Sequence, residues 1–550
     1  MVSPIKLNWV DRTIGYFNPA RGLKRAQSRM ALAAYSDSGY IVPGSSRKSV
    51  KGWKAGLNSP ARDIDNKFDG LKAASRDLFM NSAVAVSIFR RNRLNVVGPG
   101  LQVQPMVDRD FLKISDMQAD DLNEQLTREF DLFANSFECD YQGQVVFGEQ
   151  QGLLLCASLI NGDVFFALPM VEPKRRDWPF ETTVKLIDGD LIRTPSVNYL
   201  DSLNSTNAKI RSGVEFDADN RLDAYWVASE YPNEAALEKF ERIPIYNELG
   251  ERQIFQVADF ERIGQRRALP LLAPVTSLLK MITRNSENEL MASTVAALFT
   301  VLVRDANNTG ARLQEPYLPS QTVGGGGSLG PDATAEEKTE GNEFDLELGP
   351  GSVYYLPEGT DISIAESRRG RNEYEPFFKA MATEVSAACN LPFDVVMLSF
   401  NRSYSALRGA ILEASKEWKT RRSQLCTRFC QPVYEAVIAE SVAKGRLRMP
   451  GFFSDLRYRQ AYCRSRWVGL GSGQIDPLKE ALAAELKIKC ALSTHEEEYQ
   501  SDKGGRWRPT VERLAREKEL IDQYGLTPVD EGGQSQEGIR ARIASQGEIE

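Results

Sequence analysis

The spacing of hydrophobic positions changes period several times along this chain. From Leu71 to Val97, "LKAASRDLFMNSAVAVSIFRRNRLNVV", apolar residues recur every three or four positions and predict one helix. Gly98-Pro99-Gly100 stops it, and "LQVQPMV" beyond alternates as a strand does. Helical spacing returns over about 118–137 and again over about 149–160. Alternation then takes over in Asp163–Val171, Thr183–Ile192 and Ile210–Ser229. Inside the last of these, Asp217-Ala218-Asp219-Asn220 is a hairpin turn. Asp217 and Asp219 have the first spacing of a calcium loop, but Arg221 stands at the third ligand place and no glycine follows, so that reading fails.

The second half is mostly helical. Leu269–Phe299 predicts a long helix beginning near Pro274 and leading into the strand "TVLVRD". Gly324–Gly327 and the acidic run after them predict a loop. Strand character returns in "GSVYYLPEGTDI", Gly351–Ile362. A helix over about 373–389 follows, with Asn372 as N-cap and Asn390-Leu391-Pro392 as its stop. A polar, Arg-bearing segment then joins a helix running from about Ser405 towards Ala443, bent or broken at Pro432. Asp476-Pro477 caps and opens a helix over 477–490. Ser493 and Glu496 make an S-x-x-E box that puts His495 in the first turn of the next helix. Residues 1–60 read as an extended or disordered arm, and the polar stretch beyond Gly525 as a disordered tail.

A chain of 550 residues is too long for one core, so several domains are expected. No run approaches the ~20 apolar residues of a membrane span, and no apolar signal segment opens the chain, which points to the cytosol of the producing cell. The seven cysteines include no C-x-x-C pair and read as buried, reduced thiols. The single histidine, His495, excludes a multi-histidine metal site within one chain and would have to serve any Ser-His-Asp triad. "GLGSGQ" (Gly469–Gln474) lacks the third glycine of a dinucleotide loop and reads as a turn. Ser277-x-x-Lys280 has an acylase spacing without its companion motifs, and no phosphate-binding P-loop occurs. No enzyme class and no cofactor is indicated. Residues 1–60 carry ten Lys/Arg against two Asp/Glu, a surplus of +8 against a total of −7, so the remainder carries −15. A basic arm on an acidic body suits a chain whose arm meets something anionic.

Seven segments, in order, resemble the lambda-type phage portal proteins. They are "RDLFMNSAVAVSIFRRNRLNVVGPGLQVQP", "GVEFDADNRLDAYWV", "ERIGQRRALPLLAPV", "ENELMASTVAALF", "LGPGSVYYLPEGTDI", "SYSALRGAILEASKEW" and "IDPLKEALAAELKIKCALST". Together they span roughly residues 70–500. The sixth is similar to the family's Tyr-Ser-Ser-Ala-Arg stretch at the head of a long helix, the seventh to its Asp-Pro-x-Lys-Glu run.

The resemblance implies a mixed α+β portal fold assembled as a ring: an α/β wing, a two-helix stem, a small α/β clip and a helical crown. It divides the chain into a basic arm (1–70), wing (71–268), first stem helix (269–297), clip with a glycine-rich acidic insertion (298–371) and second stem helix (372–391). A channel loop (392–405), a long wing helix with a return to the wing (406–460), the crown (461–524) and the tail (525–550) follow. The implied assembly is a dodecamer at one capsid vertex, formed in the host cytoplasm and carried in the virion. Its partners are double-stranded DNA, the terminase large subunit, head-completion or adaptor proteins, and the major capsid and scaffold proteins; no membrane is involved. Asn401, Arg402, Ser403, Tyr404 and Arg408 are the candidates for DNA contact in the channel, Arg408 having an acid partner as its alternative. Tyr354, Tyr355, Pro357 and Glu358 are candidates for the clip face that meets terminase or connector. A different reading, from charge alone, is a monomeric or low-order nucleic-acid-binding protein that uses the basic arm.

Overall fold

The single helix expected over Leu71–Val97 is two helices in the computed structural model, α1 (Phe68–Asn81) and α2 (Ala83–Val96). Between them Ser82 is extended, with φ −113° and ψ 116°. Helix α1 buries Phe68, Lys72, Ser75 and Leu78. That spacing carried forward reaches Ser82, Ala85, Phe89, Asn92 and Val96, which are buried as well. Helix α2 turns that stripe inward and widens it with Val84 and Ile88.

The described residues are 16, 55–173, 175–196, 209–234, 239–248, 250–298, 302–303, 354–355, 374–400, 403–471 and 477–524. They fall into two units, Met1–Asp63 and Ile64–Glu550. In the first, Asn58 donates to Asp63 at 2.9 Å; the core and the sheets lie in the second. The expected arm and tail lie largely outside the described residues, as do Gly324–Gly327 and the acidic run after them.

After β1 (Gln102–Pro105), α3 (Asp116–Ala134) starts from a Ser115–Gln118 capping box. Helix α4 (Phe147–Asn161) ends at Gly162, whose φ is +94°. A Cβ there would lie 2.1 Å from the Ala268 carbonyl oxygen, so only glycine lets the chain pass. The next residue, Asp163, opens β2 (Asp163–Ala167).

Two antiparallel sheets follow. Strand β2 lies between β3 (Lys185–Asp188) and β8 (Ile254–Ala258), with Phe166 stacked on its cross-strand neighbour Phe255 at 4.7 Å. The second sheet is a meander of β4 (Lys209–Arg211), β5 (Val214–Phe216), β6 (Leu222–Ala228) and β7 (Phe240–Pro244). The expected turn at Asp217–Asn220 is present, and Asp217 Oδ1 accepts from the Asp219 and Arg221 amides at 2.9 and 2.7 Å. A second turn, at Ser212-Gly213, has φ of +51° and +76°, the backbone of a two-residue hairpin.

Arg267 joins the two sheets. It is 1 % exposed, and its partner Asp163 is 0 % exposed. Nε and Nη2 bind the two Asp163 oxygens, Nη2 at 2.8 Å. Nη2 also donates to Gly189 O (2.7 Å), and Nη1 to Ile192 O (2.8 Å) and Ser212 O (2.9 Å). All five guanidinium N–H groups therefore have acceptors.

Helix α5 (Thr276–Leu298) is followed by β9 (Leu302–Val303), β10 (Tyr354–Tyr355), α6 (Tyr374–Ala388) and α7 (Phe393–Met397). The long helix expected to Ala443 is α8 (Tyr404–Leu425), a π turn at Cys426–Cys430, and α9 (Gln431–Ala443). The Gln431 amide bonds Cys426 O, five residues back. This widened turn accommodates the Pro432 ring, which would clash with the carbonyl four residues earlier in a regular helix.

Residues 461–468, expected in the crown, belong to the body. Helix α10 (Leu456–Cys463) buries Ala461, Tyr462 and Cys463, and β11 (Ser465–Val468) pairs antiparallel with β1. The core they join gathers Phe130, Phe147, Phe166, Phe429 and Tyr434, with Trp467 packed against it. Of "GLGSGQ", expected as a turn, Gly469–Gly471 follow β11 and the rest lies outside the described residues. Leu470 bridges to Gly504, and a Cβ on Gly471 would strike Asp502 O at 2.2 Å. Helices α11 (Pro477–Lys489), α12 (His495–Asp502) and α13 (Arg508–Gln523) follow, and neither α11 nor α13 buries a residue. The capping box of α12 is Thr494 with Glu497, one position later than expected, so exposed His495 is its first residue and stacks on Trp507.

All seven cysteines are free thiols. Burial pushes those of Cys139 and Cys389 up to about 12. Among the described residues no helix is long and apolar enough to cross a membrane.

Two carboxylates, partly buried Asp190 and buried Glu440, set an acid limit on stability. Burial alone would raise Asp190, but hydrogen bonds and charge from Lys72 (2.6 Å) and Arg76 outweigh it and hold the carboxyl below its usual range. Glu440 is likewise raised by burial, but lowered on balance by Lys444 and by the Glu181 and Thr182 amides at 2.6 and 2.9 Å. Depressed folded values mean this stabilisation is complete above the unfolded carboxylate pKa of about 4. It is lost as pH falls through the folded values. Urea midpoints should therefore fall steeply below about pH 4, and Glu440→Gln should flatten that limb; parallel acid limbs in the two proteins would contradict the assignment.

Candidate functional site

The segment between α6 and α8 is built by two left-handed residues. Asn390, φ +56°, ends α6, and the Leu391 amide reaches back to Ser386 O at 2.9 Å. Pro392 then caps α7. Leu398, φ +53°, ends α7, and its amide and that of Ser399 both bond Asp394 O. Helix α7 is held against α2: Leu391, Val395 and Val396 are buried, and Ser87 Oγ donates to Val396 O at 2.5 Å. The stretch expected as a loop over 392–405 thus contains a packed helix. Beyond that helix Leu398 and Phe400 are half exposed.

Of the candidate residues, Asn401 and Arg402 lie outside the described residues, as does the Tyr404 side chain. Ser403 is exposed at the N-cap of α8, and its carbonyl accepts the Leu407 amide at 3.0 Å. Arg408 takes the acid-paired alternative, with Nη1 donating to Glu480 Oε1 on α11 at 2.7 Å. Helix α8 is fixed further along. Arg421 donates to Asn92 Oδ1 (3.1 Å), and Arg422 to Val96 O and Asn95 O, both at 2.8 Å. The Arg422 guanidinium thereby closes the C-terminus of α2.

Helix α6 also packs on α5, where Ser286 Oγ and Tyr374 Oη are 2.7 Å apart. The pair is buried at its base, through Leu279, Ile282, Ala382 and Val385, and exposed farther along α5 at Leu290 and Met291. Beyond it, β9 and β10 pair in parallel, Tyr354 opposite Leu302 and Tyr355 opposite Val303. The side chains of Tyr354 and Tyr355 lie outside the described residues, as do Pro357 and Glu358 entirely.

The other chemistry weighed in the sequence gains nothing. Lys280 pairs with Asp77 at 3.4 Å, with Ser277 exposed on the same helix. Among the described residues no group of three or more His, Cys, Asp or Glu could hold a metal. Leu398 and Phe400 are loop residues that charge-based reasoning passed over, and their signal was an apolar pair beside a polar run.

The family description "Phage portal protein, lambda family" matches residues 46–422. The chain belongs to that family. The matched portal region includes α5, β9, β10, α6, α7 and most of α8; α9 onward lies beyond it. A curated relative, "Probable portal protein" of Halomonas phage phiHAP-1, is 23% identical over 489 residues, covering 85% of this portal chain and 86% of the relative. Among solved structures, a chain of the "Virion of native gene transfer agent (GTA) particle" is 12% identical with a TM-score of 0.35, covering 85% of this chain and 96% of its own. A chain from the "Neck of empty GTA particle computed with C6 symmetry" is 12% identical with a TM-score of 0.37, covering 79% and 92%.

Proposed function

We infer that this portal protein assembles as a dodecameric ring at one capsid vertex and that DNA enters and leaves the head through its central channel. The family match across both stem helices and the loop between α6 and α8 carries the reading. Surface chemistry supports it. Met281, Leu290, Met291 and Phe377 on α5 and α6 are 49–71 % exposed, and ring closure would cover such apolar surface. The segment around β9 and β10 is the clip, offered first to the terminase large subunit and then to head-completion or adaptor proteins. Residues 398–404 line the channel and touch DNA weakly, because a conduit that gripped phosphates would not let DNA slide. Helices α11 to α13 form the crown. The ring carries no catalytic site; hydrolysis belongs to its motor partner. It is built in the host cytoplasm among capsid and scaffold proteins and remains in the virion.

Light scattering after size exclusion, with negative-stain microscopy, tests this. The expected particle has about twelve times the monomer mass and a central hole. A monomer that binds nucleic acid through residues 1–60 would overturn the ring and favour the arm-based reading.

A further inference from the structure

A groove of about 660 Å³ runs between the C-terminal half of α8, the π turn and β11. Its lining has four cations, Lys419 and Arg422 from α8 with Arg464 and Arg466 at β11, and no carboxylate. Ser423 and Thr427 also line it. This is unusual on a chain whose residues beyond 60 carry −15. Lys419 and Arg466 are exposed, and among the described residues neither meets an acid. Arg464, 62% exposed, has only a 3.5 Å contact with Asp108. Arg422 donates to the two backbone carbonyls of α2 and is partly desolvated, with no acid beside it in the groove.

We propose that this groove binds the phosphodiester backbone of nucleic acid without reading its sequence. Arg464 and Arg466 are two residues apart along an extended chain, about 6.6 Å. That is close to two axial steps of about 3.4 Å between charges on one duplex strand. Lys419 and Arg422 are three residues apart on one helix and so neighbours on one face. Charge and hydroxyl donors are what phosphate oxygens require. The one aromatic residue, Trp467, is not free to stack on a base. It meets Phe130, Phe147 and Tyr434 in the core, and its indole N–H points to Gln431 Oε1 at 3.4 Å. An acidic protein segment would offer its carboxylates to the same cations, and the test below separates the two. The groove goes beyond the channel reading: it is remote in sequence from 398–404, its β11 half lies outside the family match, and it operates whether or not the loop touches DNA.

The test uses the full-length protein, with Lys419→Gln/Arg466→Gln as the variant; Arg422 is left in place because it closes α2. Fluorescence anisotropy with two unrelated 25-base-pair duplexes, across a salt series, reads the site. The expected result is weaker binding to both duplexes and a log K against log salt slope shallower by about two. Unchanged affinity and slope would overturn the proposal. So would a variant that binds both duplexes normally but changes its mass in light scattering, since the groove would then hold an acidic segment of another copy. Weakening for one duplex only would also overturn it. Loss of the ring with the salt effect retained would count against the assembly reading and leave this one standing.

Discussion

Replacing Arg267 by methionine is expected to destabilise the fold by about 3–5 kcal/mol, the largest effect of any single substitution proposed for this chain. The methionine fills much of the arginine's volume but leaves the Asp163 carboxylate, 0 % exposed, without its counter-ion. It also orphans the carbonyls of Gly189, Ile192 and Ser212, which belong to segments joining β3, β4 and β5. The guanidinium packs on the Phe68 and Phe165 rings at 4.8 and 5.2 Å, so its loss loosens α1 against the sheets as well. Lysine should not rescue, because its three donors cannot meet five acceptor contacts. Urea unfolding followed by circular dichroism checks the expectation. If Arg267→Met is insoluble, the pair Asp163→Leu/Arg267→Met should recover part of the loss by removing the unpaired charge, but not all, since the carbonyls stay orphaned. Arg175→Gln, which breaks only the exposed pair with Asp177, should leave the midpoint unchanged. A single variant at position 267 with a wild-type midpoint would sink the argument.

Legibility in the sequence followed how local each cause was. The Asp217 turn and the start of α5 after Pro274 depend on residues within a few positions of themselves, and both were readable. The break at Ser82 was not: no proline or glycine marks it, and the apolar spacing runs on through it without a change of face. The capping box of α12 was legible as a motif but off by one, because Ser493 and Thr494 offer the same chemistry and the fold chose the latter. Strand β11 was missed because its partner β1 lies more than 350 residues away. Arg267 was invisible for the same reason. In "GQRRALP" nothing separates it from Arg266, and burial comes from Asp163 on another strand. At the candidate site, the stop after α6 and the head of α8 were readable. The packed helix α7 was not, since five residues with Val395 and Val396 hold too little periodicity to announce it.

Deleting residues 400–404 is expected to leave the ring intact and to lower packaged DNA by at least about ten-fold, on the proposal that this loop meets passing phosphates. Assembly should survive because the anchors lie outside the deletion. Val395 and Val396 hold α7 to α2, and Arg421 and Arg422 hold α8 to the same helix. The deletion removes only Phe400, Asn401, Arg402, Ser403 and the first residue of α8. Two narrower variants separate the physical causes. If the loop acts by charge, Arg402→Gln should reproduce most of the loss and make retention less sensitive to salt, since one phosphate contact per subunit disappears. If it acts by bulk, narrowing the channel around the duplex, Phe400→Gly/Tyr404→Gly should reproduce it with salt sensitivity unchanged. Nuclease-resistant DNA per particle, measured on particles whose rings are confirmed by microscopy, reads both. Full packaging and full retention in the deletion would remove the loop from the mechanism. Arg408 would not replace it, because its guanidinium is already engaged with Glu480 on α11.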